Sequence, residues 1–146
     1  MFLGQFYHSL DEKGRLILPA RYRELLIADG AVLMRGFDQN LMVLTSASFK
    51  IIYERINRMS MTDPTARLLR RLIFSTAVQV EMDKTGRMLV PQFLREVAEI
   101  DSDAMVVGAG DYIEIWSQTQ WNAQMAQLKD VNVTSDRFKA LDLASS

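Results

Sequence analysis

Cysteine is absent from the 146 residues, which excludes a disulfide framework, a thiolate zinc site and a cysteine nucleophile. Histidine is nearly absent: His8 stands alone, so a protein-only zinc site would need several carboxylates, and a Ser-His-Asp triad has one candidate base. No apolar run reaches about 18 residues, and the opening Met1-Phe2-Leu3-Gly4-Gln5 carries no basic segment. Neither a membrane span nor a secretory signal is expected, and the chain reads as cytoplasmic. Glycine-rich phosphate loops, metal-ligand spacings and nucleophile elbows are also missing. Catalysis, a metal, a cofactor and a small-molecule substrate are therefore not expected.

What is present is globular composition, 49% hydrophobic and 24% charged, at a length that supports one ordinary domain with a real core. The net charge of −1 conceals an asymmetry. Residues 1–75 hold 11 Lys/Arg against 7 Asp/Glu, a net of +4, while residues 76–146 hold 6 against 11, a net of −5. Unlike halves of this kind suit a half that faces a polyanion, or two halves that attract each other.

The halves are also copies. Asp11-Glu12-Lys13-Gly14-Arg15-Leu16-Ile17-Leu18-Pro19 precedes Asp83-Lys84-Thr85-Gly86-Arg87-Met88-Leu89-Val90-Pro91 by 72 residues. The same offset, without a gap, places Arg23-Glu24-Leu25 on Arg95-Glu96-Val97, Gly36 on Gly108 and Phe49 on Trp121. Each copy predicts a strand (5–10 and 77–82), an Asp-x-x-Gly-Arg turn, and a short apolar strand (16–18 and 88–90). Pro19 and Pro91 then open the first turn of a helix that ends near Asp29 or Asp101. Two further strands follow, 31–36 with 41–45 and 104–108 with 112–116, so each copy is ββαββ and then a helix.

The trailing helix of the first copy carries Phe49, Ile52, Tyr53, Ile56 and Met59 on one stripe, which reads as core or subunit packing. Trp121, Met125 and Leu128 repeat that stripe more weakly. An extra helix opens at Asp63-Pro64, an N-cap followed by proline. Leu68, Leu69, Leu72 and Ile73 fill one of its faces, and Arg67, Arg70 and Arg71 the other. Those arginines read as a second DNA contact or, more readily, as partners of the acidic second half, in the same chain or a neighbour. Residues 1–75 thus form a first repeat with two trailing helices, 76–130 a second repeat with one, and 131–146 a loosely attached tail. Short strands with edges to hide favour a single barrel made from both halves.

The paired Asp11…Arg15 and Asp83…Arg87 motifs with their trailing prolines resemble the MraZ family of bacterial transcriptional regulators. So do Met1-Phe2-x-Gly4 and the run Gly14-Arg15-Leu16-Ile17-Leu18-Pro19-Ala20-Arg21-Tyr22-Arg23. The resemblance reaches to about Lys129. It implies a tandem SpoVT-AbrB-type fold, related to the double-split barrels of AbrB and MazE. The expected fold is mixed α+β and mainly β: a pseudo-two-fold, double-split or swapped-hairpin barrel of two ββαββ repeats with added helices. The resemblance further implies a ring-shaped homo-oligomer, associated with the nucleoid. That ring would bind repeated short elements of double-stranded DNA upstream of the cell-division and cell-wall gene cluster, its own gene included.

Arg15 and Arg87 follow a turn, where an arginine can reach phosphate or make the bidentate contact that reads guanine. The plainer reading is an ion pair within each turn, Asp11 with Arg15 and Asp83 with Arg87; the two are compatible, because an aspartate can hold the arginine in its binding pose. Lys13, Arg15, Arg21 and Arg23 surround the first motif, whereas acids outnumber bases around the second. DNA binding leans on phosphate neutralisation, so the first copy is the expected DNA face. Arg15 is its reader, Lys13 its support, Arg21 a phosphate contact and Gly14 part of the same tip. Asp11, Asp83, Gly86 and Arg87 support the motif, with Asp11 and Asp83 read as turn acids that no partner tunes. Arg23 and Arg95 read as solvated helix positions. A small basic patch needs several copies on one DNA to bind tightly, and a basic half against an acidic half favours a head-to-tail ring. Two alternatives stand beside this reading. One is an oligomeric assembly module that never touches DNA; the other is an antitoxin-like regulator with a toxin partner, which the short tail disfavours.

Overall fold

Strand alternation and turn chemistry place most elements where the sequence puts them. In the computed structural model, which describes residues 1–141 and 143, the chain opens with β1 (Gln5–Ser9), β2 (Arg15–Ile17), α1 (Ala20–Asp29), β3 (Ala31–Arg35) and β4 (Leu41–Thr45). Two helices, α2 (Ser46–Asn57) and α3 (Pro64–Phe74), lead to β5 (Val78–Val80), β6 (Arg87–Leu89), α4 (Gln92–Val97), β7 (Asp103–Gly108) and β8 (Tyr112–Trp116). The chain continues through α5 (Gln118–Lys129) and α6 (Val131–Lys139). The expected tail is thus helical over α6, and its residues 142 and 144–146 lie outside those described.

The fold is mixed α and β, with every strand pairing antiparallel. The expected barrel of both halves is not closed among the described residues. Six strands make one sheet in the order β1-β7-β8-β4-β3-β5, and β2 and β6 pair separately. The order reads the same when the two repeats are interchanged, with β4 and β8 at its centre. Each repeat's first strand leaves its own repeat: β1 pairs with β7, and β5 with β3. Each β1–β2 or β5–β6 hairpin therefore lies on the opposite half, and β2 meets β6 between them.

That exchange makes one core for both repeats. Leu16, Leu18, Tyr22 and Leu33 pack with Met88, Val90, Leu94 and Val106, all fully buried or nearly so. On the other face of the sheet, Met34, Met42 and Leu44 pack against Ile56 and Ile73 of α2 and α3, while Met105 and Trp116 meet Trp121 of α5. Central strands covered on both faces explain the uninterrupted apolar runs. Hydroxyl and carboxylate caps start the outer helices: Ser48 N–H donates to Thr45 Oγ1, Thr65 N–H to Asp63 Oδ1, and Gln120 N–H to Ser117 Oγ.

Several expectations require correction. Pro19 and Pro91 precede their helices, with ψ of 142° and 148°, and cap them through their carbonyls, which accept from Arg23 and Arg95 N–H at 3.0 Å. The second helix stops at Val97 because Glu99 takes a positive φ of 57°, turning Ile100 into the core. Leu68 is exposed; Ala66, Leu69 and Ile73 make the buried face of α3. Within the chain, Arg67 and Arg70 do not reach the acidic half: they donate to the Met61 and Ile56 carbonyls, and Arg70 lies over the Phe74 ring.

The ungapped 72-residue offset also fails, at β7. Ala104 and Val106 occupy the core positions of Ala31 and Leu33, so the offset there is 73. Side chains alternate faces along a strand, so a one-residue slip would exchange the whole inward set. At an offset of 72, Asp103 would enter the core; instead its carboxylate accepts from the Tyr7 hydroxyl at 2.9 Å.

Candidate nucleic-acid interface

Each motif is a type of hairpin end in which one carboxylate organises the whole turn. Gly14 N–H donates to the Asp11 carbonyl at 3.0 Å and Asp11 N–H to the Arg15 carbonyl at 3.0 Å, closing a tight turn. Asp11 Oδ1 accepts from the N–H groups of Lys13 and Arg15 at 3.0 and 2.9 Å. Asp83 Oδ1 repeats this with Thr85 and Arg87 at 3.0 and 2.9 Å, and adds the Thr85 hydroxyl. Gly14 and Gly86 take φ of +78° and +80°, a conformation open to glycine and strained for side chains.

Pairing of β2 with β6 then brings the two motifs together. Leu16 faces Met88 toward the core, so Arg15 and Arg87 project from the outer face, beside Leu89 and Ile17. Arg15 Nε bonds Asp11 Oδ2 at 2.7 Å, and Arg87 Nε bonds Asp83 Oδ2 at 2.8 Å. The pairs also cross: Arg87 Nη1 lies 3.4 Å from Asp11 Oδ2, and Arg15 Nη1 lies 3.9 Å from Asp83 Oδ2. The ion pairs read from the sequence are therefore present, and they join into one four-residue cluster spanning both repeats. About a third of each side chain remains exposed (29–33%), enough for an incoming phosphate or base edge to compete.

Asp11 and Asp83 are tuned after all. The Arg15 N–H is the largest influence holding the Asp11 carboxyl below its ordinary range, and the Arg87 N–H does the same for Asp83, against the opposing effect of burial. A carboxylate depressed in the fold binds fewer protons than in the unfolded chain, so its stabilisation is present above about pH 4 and lost as pH falls further. Acid unfolding below pH 4 is therefore expected to be shallower in D11N/D83N than in wild type, by urea midpoints from pH 5 to 2.5; equal slopes would refute the coupling. His8, whose imidazole is lowered by burial, contributes a separate loss beginning near pH 6.5.

The other expected residues fall around this cluster. Lys13 and Arg21 are exposed, Lys13 on the first tip and Arg21 on α1, while Gly14 is buried in the tip. A concavity of about 260 Å³ is lined by Asp11, Glu12, Lys13, Arg15 and Arg87. A second, of about 250 Å³, includes Arg23, Glu24, Asp83 and Lys84. Arg23 and Arg95 are not simply solvated helix positions. Arg23 Nη1 donates to the Thr85 carbonyl at 3.3 Å, on the other repeat's tip, and Arg95 Nε donates to the Val90 carbonyl at 3.0 Å. The recurrence of arginine nine residues after each motif glycine was the available sign, but its meaning depends on the exchange of hairpins. Among the described residues, no group of three or more His, Asp or Glu is placed to hold a metal ion, and no helix is long and apolar enough to cross a membrane.

Fold and site together define a duplicated α/β protein whose two exchanged hairpins present one shared, arginine-bearing face. The family described as "MraZ protein, putative antitoxin-like" matches residues 1–72 and again 73–143. A protein of Herpetosiphon aurantiacus named transcriptional regulator MraZ is 45% identical over 130 residues, covering 89% of this chain and 90% of its own. Proteins of the same name are 45% identical in Thermomicrobium roseum, over 85% of this chain and 87% of that one, and in Dictyoglomus thermophilum, over 97% and 98%. This chain belongs to the MraZ family.

Proposed function

We propose that this protein is a transcriptional regulator that binds double-stranded DNA sequence-specifically through the outer face of the β2–β6 ladder. The observation that carries the reading is the shared name, transcriptional regulator MraZ, of relatives matched over nearly the whole chain. The geometry supports a place for the DNA: two hairpin ends side by side, with Lys13 exposed and Arg15 partly so. Lys13, Arg15 and Arg21, with Gly14 shaping the tip, form the contact surface in the more basic repeat; Asp11, Asp83, Gly86 and Arg87 hold it in shape. Arginine at a groove can read guanine while lysine neutralises phosphate.

On this reading the repeats 1–75 and 76–130 act as one body in a double-split barrel arrangement, which the strand exchange supports. The protein works as a ring of identical subunits in the nucleoid, where one subunit's basic half meets its neighbour's acidic half. Several subunits bind successive short elements upstream of a cell-division and cell-wall gene cluster that includes the protein's own gene, each later contact gaining from the earlier ones.

Anisotropy of a labelled duplex from immediately upstream of the protein's gene tests this. Wild type is expected to prefer it over a scrambled duplex of equal length by about 10³-fold or more, with affinity falling steeply between two salt concentrations. Equal affinity for both duplexes would remove sequence reading. Binding to neither would leave the assembly module, or the protein-partner role that the family's antitoxin-like description suggests.

A further inference from the structure

The tip of each hairpin is seated by an arginine from the helix of the opposite repeat, and each arginine rests on the motif glycine. A Cβ placed on Gly14 would lie 2.8 Å from Arg95 Cζ, 2.9 Å from its Nε and 3.0 Å from its Nη2; these are its nearest neighbours. A Cβ on Gly86 would run into Arg23 Nη1 and Cδ. The positive φ of the turn requires the motif glycines, and a Cβ there would also push aside the arginine side chain that lies against the bare Cα.

Backbone hydrogen bonds fix these arginines in place. Arg95 Nε donates to the Val90 carbonyl at 3.0 Å, and the N–H of that same Val90 donates to the Gly14 carbonyl at 2.9 Å. Two hydrogen bonds through Val90 therefore link Arg95 of the second repeat to the first repeat's tip. At the other end, Arg23 Nη1 reaches the Thr85 carbonyl at 3.3 Å, while Leu18 N–H donates to the Gly86 carbonyl at 3.4 Å. The tips project beyond the three-residue ladder of β2 and β6, so the ladder alone does not hold them. A planar guanidinium covers a peptide unit and keeps one N–H directed at a carbonyl; a lysine ammonium has the charge without the plane or the fixed fork.

We propose that Arg95 and Arg23 are positioning residues, each holding the opposite repeat's tip, and that Arg95 sets the pose in which Lys13 and Arg15 meet DNA. This rests on the nucleic-acid reading above and extends it: the acidic second repeat shapes the reading surface of the basic first one. Tip order lost on replacing Arg95 is lost from binding as well, because a mobile contact must be ordered when DNA binds.

The test uses the whole 146-residue chain with Arg95→Lys, Arg95→Gln and Arg23→Lys. Arg95→Lys, which keeps the charge, is expected to lose about tenfold or more of its affinity for the upstream duplex. The slope of log K against log salt should stay at the wild-type value in both Arg95 variants. A direct phosphate contact predicts the opposite: Arg95→Lys near wild type, and a slope shallower by about 0.9 in Arg95→Gln. That result overturns the proposal. Hydrogen exchange without DNA provides an arm independent of the binding reading. Exchange should quicken over residues 10–16 and not 82–88 in Arg95→Lys, and in the reverse pattern in Arg23→Lys. Acceleration spread evenly over both tips, or absent from both, overturns the proposal even where wild type binds DNA. A wild type that ignores the duplex while the reciprocal exchange pattern holds refutes the DNA reading alone.

Discussion

Arg15→Ala is expected to weaken binding to the upstream duplex by about 1–3 kcal/mol per contact, roughly 5- to 150-fold, while the protein stays folded. The turn does not depend on the arginine side chain. Asp11 keeps the backbone N–H groups of Lys13 and of residue 15, which alanine still supplies. Arg87 Nη1 remains 3.4 Å away to balance the carboxylate. The pair keeps about a third of each side chain in contact with solvent, which screens it, so the variant should melt close to wild type. Arg87→Ala is the informative control, because its pairing and exposure match those of Arg15 almost atom for atom. The charges that flank it in the chain differ: Glu81, Glu96, Glu99, Asp101 and Asp103 belong to the second repeat. A smaller loss is expected there. Equal losses would mean that both repeats read the DNA, and an Arg15→Ala protein that binds like wild type would remove the first repeat's tip from the site.

Leu16→Ala or Met88→Ala is expected to destabilise the protein by about 2–5 kcal/mol. Both side chains are fully buried, and the two face each other at the middle of the β2–β6 ladder. Each removes packing from the place where the repeats join, so both hairpins lose support together. Because the two residues share one space, the double variant should cost less than the sum of the singles. Ile17→Ala and Leu89→Ala, on the outer face of the same strands and 43% and 53% exposed, should cost within about 0.5 kcal/mol. Urea unfolding at a fixed protein concentration checks this, since any self-association would contribute to apparent stability. Similar losses for Leu16→Ala and Ile17→Ala would show that the ladder's inner face is not a core in solution.

Much of this architecture is local chemistry and so was readable from residues alone. Asp11 and Gly14 specify their turn through bonds no more than four residues apart, and Asp83 and Gly86 repeat it. Asp63-Pro64 starts a helix as its chemistry requires, and the apolar runs at β3 and β4 announced strands covered on both faces. The duplication followed from two matching motifs, and the ion pairs from a four-residue spacing. What the linear order did not contain was which copy each element serves. The choice of β7 for β1, the crossing of the two ion pairs, and the seating of Arg95 on Gly14 join residues about 70 to 100 positions apart. The register slip at β7 was hidden for a related reason: matching residues by type favoured Gly108 over Gly36, whereas burial matched Ala104 and Val106 to Ala31 and Leu33. Local bonds are decided by neighbours in the chain. Partners across a sheet are decided by which arrangement buries every inward side chain at once, and only the assembled core makes that choice.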